Sequence, residues 1–90
     1  MSAQKITFAI LGVIQGTKND VEIRKTMDFP FVPRMGDTIA TTEEEDALVV
    51  DNIYWSPDEG TVVFFQDMEF SPAGLKEREE QGWKQFDRGQ

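Results

Sequence analysis

Phe29-Pro30-Phe31-Val32-Pro33-Arg34-Met35-Gly36-Asp37-Thr38-Ile39 divides the chain into a leading strand pair and a trailing block of strands and helix. Each proline holds φ at about −65° and pushes the residue before it towards extended backbone, so this is a stiff connector, poor in hydrogen bonds. Gly36 takes positive φ without a side-chain penalty. The pattern predicts a type II turn over Arg34 to Asp37 with Gly36 third, launching a strand at Thr38-Ile39. Pro30, Pro33, Arg34, Gly36 and Asp37 are therefore scaffold residues.

Upstream, Ile6, Phe8 and Ile10 share one parity with Thr7 and Ala9 on the other, the period-2 pattern of a half-buried strand over residues 5–14. Beyond Leu11 both parities are apolar, and Gly12 marks a bulge or a close backbone approach. Gln15-Gly16-Thr17-Lys18-Asn19-Asp20 is turn chemistry. Val21, Ile23, Lys25, Met27 and Phe29 then alternate with Glu22, Arg24, Thr26 and Asp28, which predicts a strand over 21–29 and a hairpin. Downstream, a strand over 37–42 has Ile39 as its inward residue. A run of four carboxylates, Glu43-Glu44-Glu45-Asp46, follows and cannot be buried. The strand over 47–55 is apolar on both parities, as a central or bent strand would be. Ser56-Pro57-Asp58-Glu59-Gly60 turns it into a strand over 61–70. Ser71 and Pro72 are an N-cap and a first helical residue, predicting a helix over 72–86 with Leu75, Trp83 and Phe86 near one face. Gly82 would weaken its interior by roughly 1 kcal/mol.

These elements predict a single, mainly β domain over 1–90. Its expected form is a five-stranded antiparallel small barrel or strongly bent sheet, SH3-like, with a C-terminal α-helix.

The ninety residues contain no cysteine and no histidine. Disulfides, thiolate metal sites and cysteine nucleophiles are excluded, and the usual general base near neutral pH is missing, so the composition argues against an enzyme. No cofactor is expected. Net charge is −8 and uneven: residues 1–40 sum to +1 and residues 41–90 to −9. Such a surface repels phosphate backbones, which argues against nucleic acid as a partner. No apolar run approaches the roughly 18 residues of a membrane span, and a signal-peptide pattern is absent, so a cytoplasmic protein without membrane contact is expected.

The Glu43 to Asp46 run lacks the D-x-D-x-D-G order of a calcium loop and reads as a solvated loop or a dock for a basic partner. Asp51, Asp67 and Glu69 lie in apolar strands, but their spacing does not bring any two together. Arg34 beside Asp37 is either an anion grip or a local turn contact. Phe29 to Pro33 either caps the barrel end or docks in a partner's aromatic groove. Tyr54, Trp55, Phe64 and Phe65 cannot all point inward. With Leu75, Trp83 and Phe86 they form the candidate interaction residues, the competing reading being core covered by the helix.

The segment F-P-F-V-P-R-M-G-D-T-I, followed by V-V-D-N-I-Y-W and T-V-V-F-F, resembles a pattern in short bacterial proteins of unassigned function that are expected to be small β-barrels. The resemblance covers residues 29–65. It implies a fold and no catalytic residues. The expected function is a non-enzymatic protein–protein interaction module, binding another protein or itself as a homodimer. The alternatives are a small-ligand-binding barrel or carboxylate-based enzyme built on Asp or Glu with Arg34, and an acidic nucleic-acid mimic.

Overall fold

Alternation is realised as strands β1 (Gln4–Ile14), β2 (Asp20–Phe29), β3 (Thr38–Ile39), β4 (Leu48–Ser56), β5 (Gly60–Phe65) and β6 (Met68–Phe70). Helix α1 (Pro72–Glu80) and strand β7 (Lys84–Gln85) complete the chain in this computed structural model, which describes residues 4–40 and 47–86. The acidic run 43–46, the end of the strand expected to reach 42, and the final residues 87–90 lie outside the described residues.

Among the described residues the protein is mainly β with one short helix, and its sheet is mixed and not closed. Strand order is β3-β4-β5-β1-β2-β7, with β6 continuing β5's place beside β1. Both expected hairpins form: β1 pairs antiparallel with β2, and β4 with β5. The sheet expected to be antiparallel is mixed, because the second hairpin docks with β5 and β6 parallel to β1. Period-2 alternation says which face a residue takes and nothing about the direction of the neighbouring strand.

β1 is the central strand, lying between β2 on one side and β5 with β6 on the other. That explains its near-continuous apolar run, since both of its faces are buried from Ile6 to Ile10. β4, with apolar residues on both parities, lies next to the sheet edge instead, and β3 pairs only Thr38 and Ile39 to it. The strand expected over 61–70 is interrupted at Gln66 and Asp67. Ala9 pairs with Phe64 but Gly12 with Met68, so one residue is gained across the break, as at a β-bulge. Gly12 is a close approach: a Cβ there would stand 2.2 Å from the Met68 carbonyl oxygen and 2.6 Å from the Phe70 ring.

Ile6, Phe8, Ile10, Val21, Ile23, Val63 and Phe65 form the inner face of the sheet. Phe8 stacks on Phe65 at 5.6 Å and meets the edge of Phe29 at 5.3 Å. Ile39 from the connector, Leu75 from α1 and Trp83 close over the same cluster. The connector turns where the Asp37 amide donates to the Arg34 carbonyl at 3.0 Å, with Gly36 at φ 89°, the positive φ of a type II turn's third residue.

The helix expected over 72–86 ends at Glu80. Ser71 caps its start by accepting from the Gly74 amide at 3.0 Å. At its end the Gly82 amide donates to Glu79 and the Trp83 amide to Arg78, a Schellman pair, with Gly82 at φ 103°. Gly82 is thus a terminator, and it delivers Trp83 into the core, where it is 1% exposed.

Candidate functional site: the outer face of the sheet

Strand parity places Thr7, Ala9, Leu11 and Val13 of β1 on the outer face, with Asp20, Glu22, Arg24 and Thr26 of β2 beside them. Val62 and Phe64 of β5 and Tyr54 of β4 continue that face. Ala9, Val62 and Phe64 form a second, smaller buried cluster with Leu11 packed on it.

Ladder pairing aligns Arg24, Ala9 and Phe64 in one row. Ala9 is small, so the Arg24 side chain lies across it: the guanidinium sits 5.6 Å from the Phe64 ring centroid and 3.8 Å from that of Phe86. It donates to Glu22 through Nε and to Glu59 at the hairpin tip through Nη1, and reaches Tyr54 Oη at 3.4 Å. Burial acts to lower the guanidinium pKa. The hydrogen bonds to Glu22 and Tyr54, with the charges of Glu22 and Glu59, outweigh it and hold the group above its ordinary value. Glu22 is 4% exposed, a buried carboxylate tolerated because a cation faces it. Tyr54 stacks on Phe64 at 5.7 Å, and the Thr7 and Thr26 hydroxyls share a hydrogen bond of 2.9 Å. The Phe86 amide donates to the Glu22 carbonyl at 2.8 Å, fixing the C-terminal segment against β2.

Beside this cluster runs a groove made of two adjoining clefts. The larger, about 740 Å³, is lined by Leu11, Val13, Asp20, Glu22, Asp67, Met68, Glu69 and Phe86 among others. The smaller, about 380 Å³, shares Leu11 and Asp67 with it and extends past Phe64 to Tyr54, Asn52 and Asp51. Among the described residues no group of three or more acidic side chains is arranged to hold a metal ion. Nor is any helix long and apolar enough to cross a membrane.

The seven expected interaction residues separate. Tyr54 and Phe86, each 38% exposed, and Phe64, 9% exposed, meet on the outer face. Trp55, 70% exposed, has the opposite parity at the hairpin end. Phe65, Leu75 and Trp83 are buried in the inner core and cannot contact a partner in the folded protein. The helix, expected to cover the outward aromatics, packs with the inner cluster instead. Asp67, whose spacing from Asp51 and Glu69 suggested no pairing, shares a cleft with each of them. Arg34 makes its contact through the backbone: its amide donates to the Asp37 carboxylate at 2.8 Å. Pro33 is buried beneath the connector while Phe31 and Met35 are exposed. Sequence reading missed Glu22 and Arg24, whose two-residue separation on β2 was the available signal that they share a face.

No family model, curated protein or solved structure matches the chain, so nothing outside it bears on the resemblance to small bacterial barrels.

Proposed function

We propose that this protein is a non-enzymatic protein-interaction module that docks a partner on the outer face of its bent sheet. One observation carries the reading. The inner face is closed by the chain's own connector, helix and Trp83, whereas the outer face has a groove floored by Leu11 and Val13 and walled by Tyr54, Phe64 and Phe86. Apolar side chains around a concave strip between polar rims are what a partner's anchor residues need.

A symmetric homodimer is supported less well through this face, because it brings one set of groove carboxylates towards the other. Phe65 and Trp83, which seemed available to such a dimer, already serve the core. The rigid Arg24 cluster beside the groove supports binding rather than turnover, since its cation is engaged by Glu22 and Glu59.

The test is affinity capture with three immobilised forms: the wild type, Val13→Gln with Tyr54→Gln, and Met35→Gln on the exposed connector. A protein retained by the wild type and by Met35→Gln, and lost by the groove double variant, is the expected result. Equal retention by all three, with each shown to be folded by circular dichroism, overturns the reading.

A further inference from the structure

We infer that the groove takes a cationic, amphipathic segment of the partner, a stretch that presents Lys or Arg and apolar side chains side by side on one face. This rests on the outer face being the docking surface and names what it docks.

Charge carries the argument. The two clefts share Leu11 and Asp67 and so form one channel, and no lysine or arginine lines either of them. Five carboxylates do. Glu22 is already faced by Arg24, but Asp20, Asp51, Asp67 and Glu69 are exposed to solvent. Pairing sets the spacing of these groups: Val13 is opposite Asp20 on β2 and opposite Glu69 on β6, so an apolar side chain stands between two carboxylates. Neighbouring strands lie about 4.8 Å apart. Across the channel the surface therefore reads carboxylate, apolar, carboxylate at the spacing of sheet rows.

A segment with basic groups beside an apolar one matches this order. A polyamine or a bare polycation would leave Leu11 and Val13 uncovered, while a phosphate backbone or an acidic peptide would be repelled. Residues two apart in an extended segment span about 6.6 Å and share a face, so a segment written as two basic residues followed by two apolar ones sets a basic group beside an apolar group on the face that meets the channel.

The experiment titrates the whole protein into fluorescein-labelled peptides and reads anisotropy. One peptide repeats Arg-Arg-Val-Val, a second repeats Arg-Arg-Ser-Ser, and a third repeats Glu-Glu-Val-Val. The Arg/Val peptide is expected to bind roughly tenfold tighter than Arg/Ser, the gain from burying one or two apolar side chains. The Glu/Val peptide is expected to show no binding. Asp67→Asn with Glu69→Gln should weaken Arg/Val binding by roughly fivefold and reduce its salt dependence. Asp28→Asn with Glu80→Gln removes the same charge from elsewhere and should leave binding unchanged. Equal binding of Arg/Val and Arg/Ser, or equal loss in both charge variants, overturns the inference. If Arg/Val fails while the Val13/Tyr54 variant still loses a captured protein, the cationic occupant is wrong and the docking face stands. If that variant loses nothing, the docking face itself is wrong.

Discussion

Replacing Arg24 with alanine removes the side chain that ties β2 to the hairpin tip and to Phe86. The hydrogen-bonded ion pair with the buried Glu22 contributes about 1.5–3 kcal/mol, the range for hydrogen bonds to charged groups. The guanidinium over Phe86 at 3.8 Å adds about 0.5–1 kcal/mol. Glu59 is about a third exposed, so that pair is discounted to nearly nothing. The expected loss is about 2–4 kcal/mol. In urea, with a slope of about 1–2 kcal/mol per molar for a small domain, the midpoint should fall by about 1–4 M. A double-mutant cycle with Glu22→Gln should return a coupling of about 1–3 kcal/mol. The guanidinium pKa is raised, so its contribution is fully present below the unfolded value and lost only as pH rises through the folded one. The Arg24→Ala difference should therefore be the same at pH 6 and pH 9, both far below the range in which a guanidinium loses its proton. A loss under about 0.5 kcal/mol, with no coupling, would refute the Arg24 cluster.

Gly12→Ala should destabilise by about 1–3 kcal/mol in the same urea assay, because its Cβ would meet the Met68 carbonyl and the Phe70 ring. Unchanged stability would mean that β6 does not pack on β1 as described. Gly82→Ala should lose about 1–2 kcal/mol to left-handed backbone strain, whereas an interior helical glycine would have gained from the change. The two tryptophans differ in exposure, 70% for Trp55 and 1% for Trp83. Trp55→Phe should remove the acrylamide-quenchable fluorescence and leave a protected, blue-shifted signal; a still-quenchable signal would show that Trp83 is not buried.

Much of the local structure was legible because local chemistry determines it. Gly16 and the residues after it closed one hairpin and Pro57 to Gly60 the other, while Ser71-Pro72 announced the helix. Gly82 was misread because its spacing fits a helix interior as well as a terminator. Its positive φ and the Schellman hydrogen bonds around it tell the two apart. The parallel docking of β5 on β1 left no trace, since alternation carries no strand direction. It also hid the site: Glu22 and Arg24 looked like the solvated side of a hairpin until Phe64 was brought across Ala9. The aromatic run from Tyr54 to Phe65 was visible as surplus, but assigning Phe65 to the core and Tyr54 to the surface required the register.

Methyl NMR during titration of the captured partner tests the docking face most directly. The account predicts shifts centred on Leu11 and Val13, with Ile39 and Leu75 of the inner core unmoved. Shifts centred on Val32 and Met35 of the connector, with Leu11 and Val13 unmoved, would contradict it.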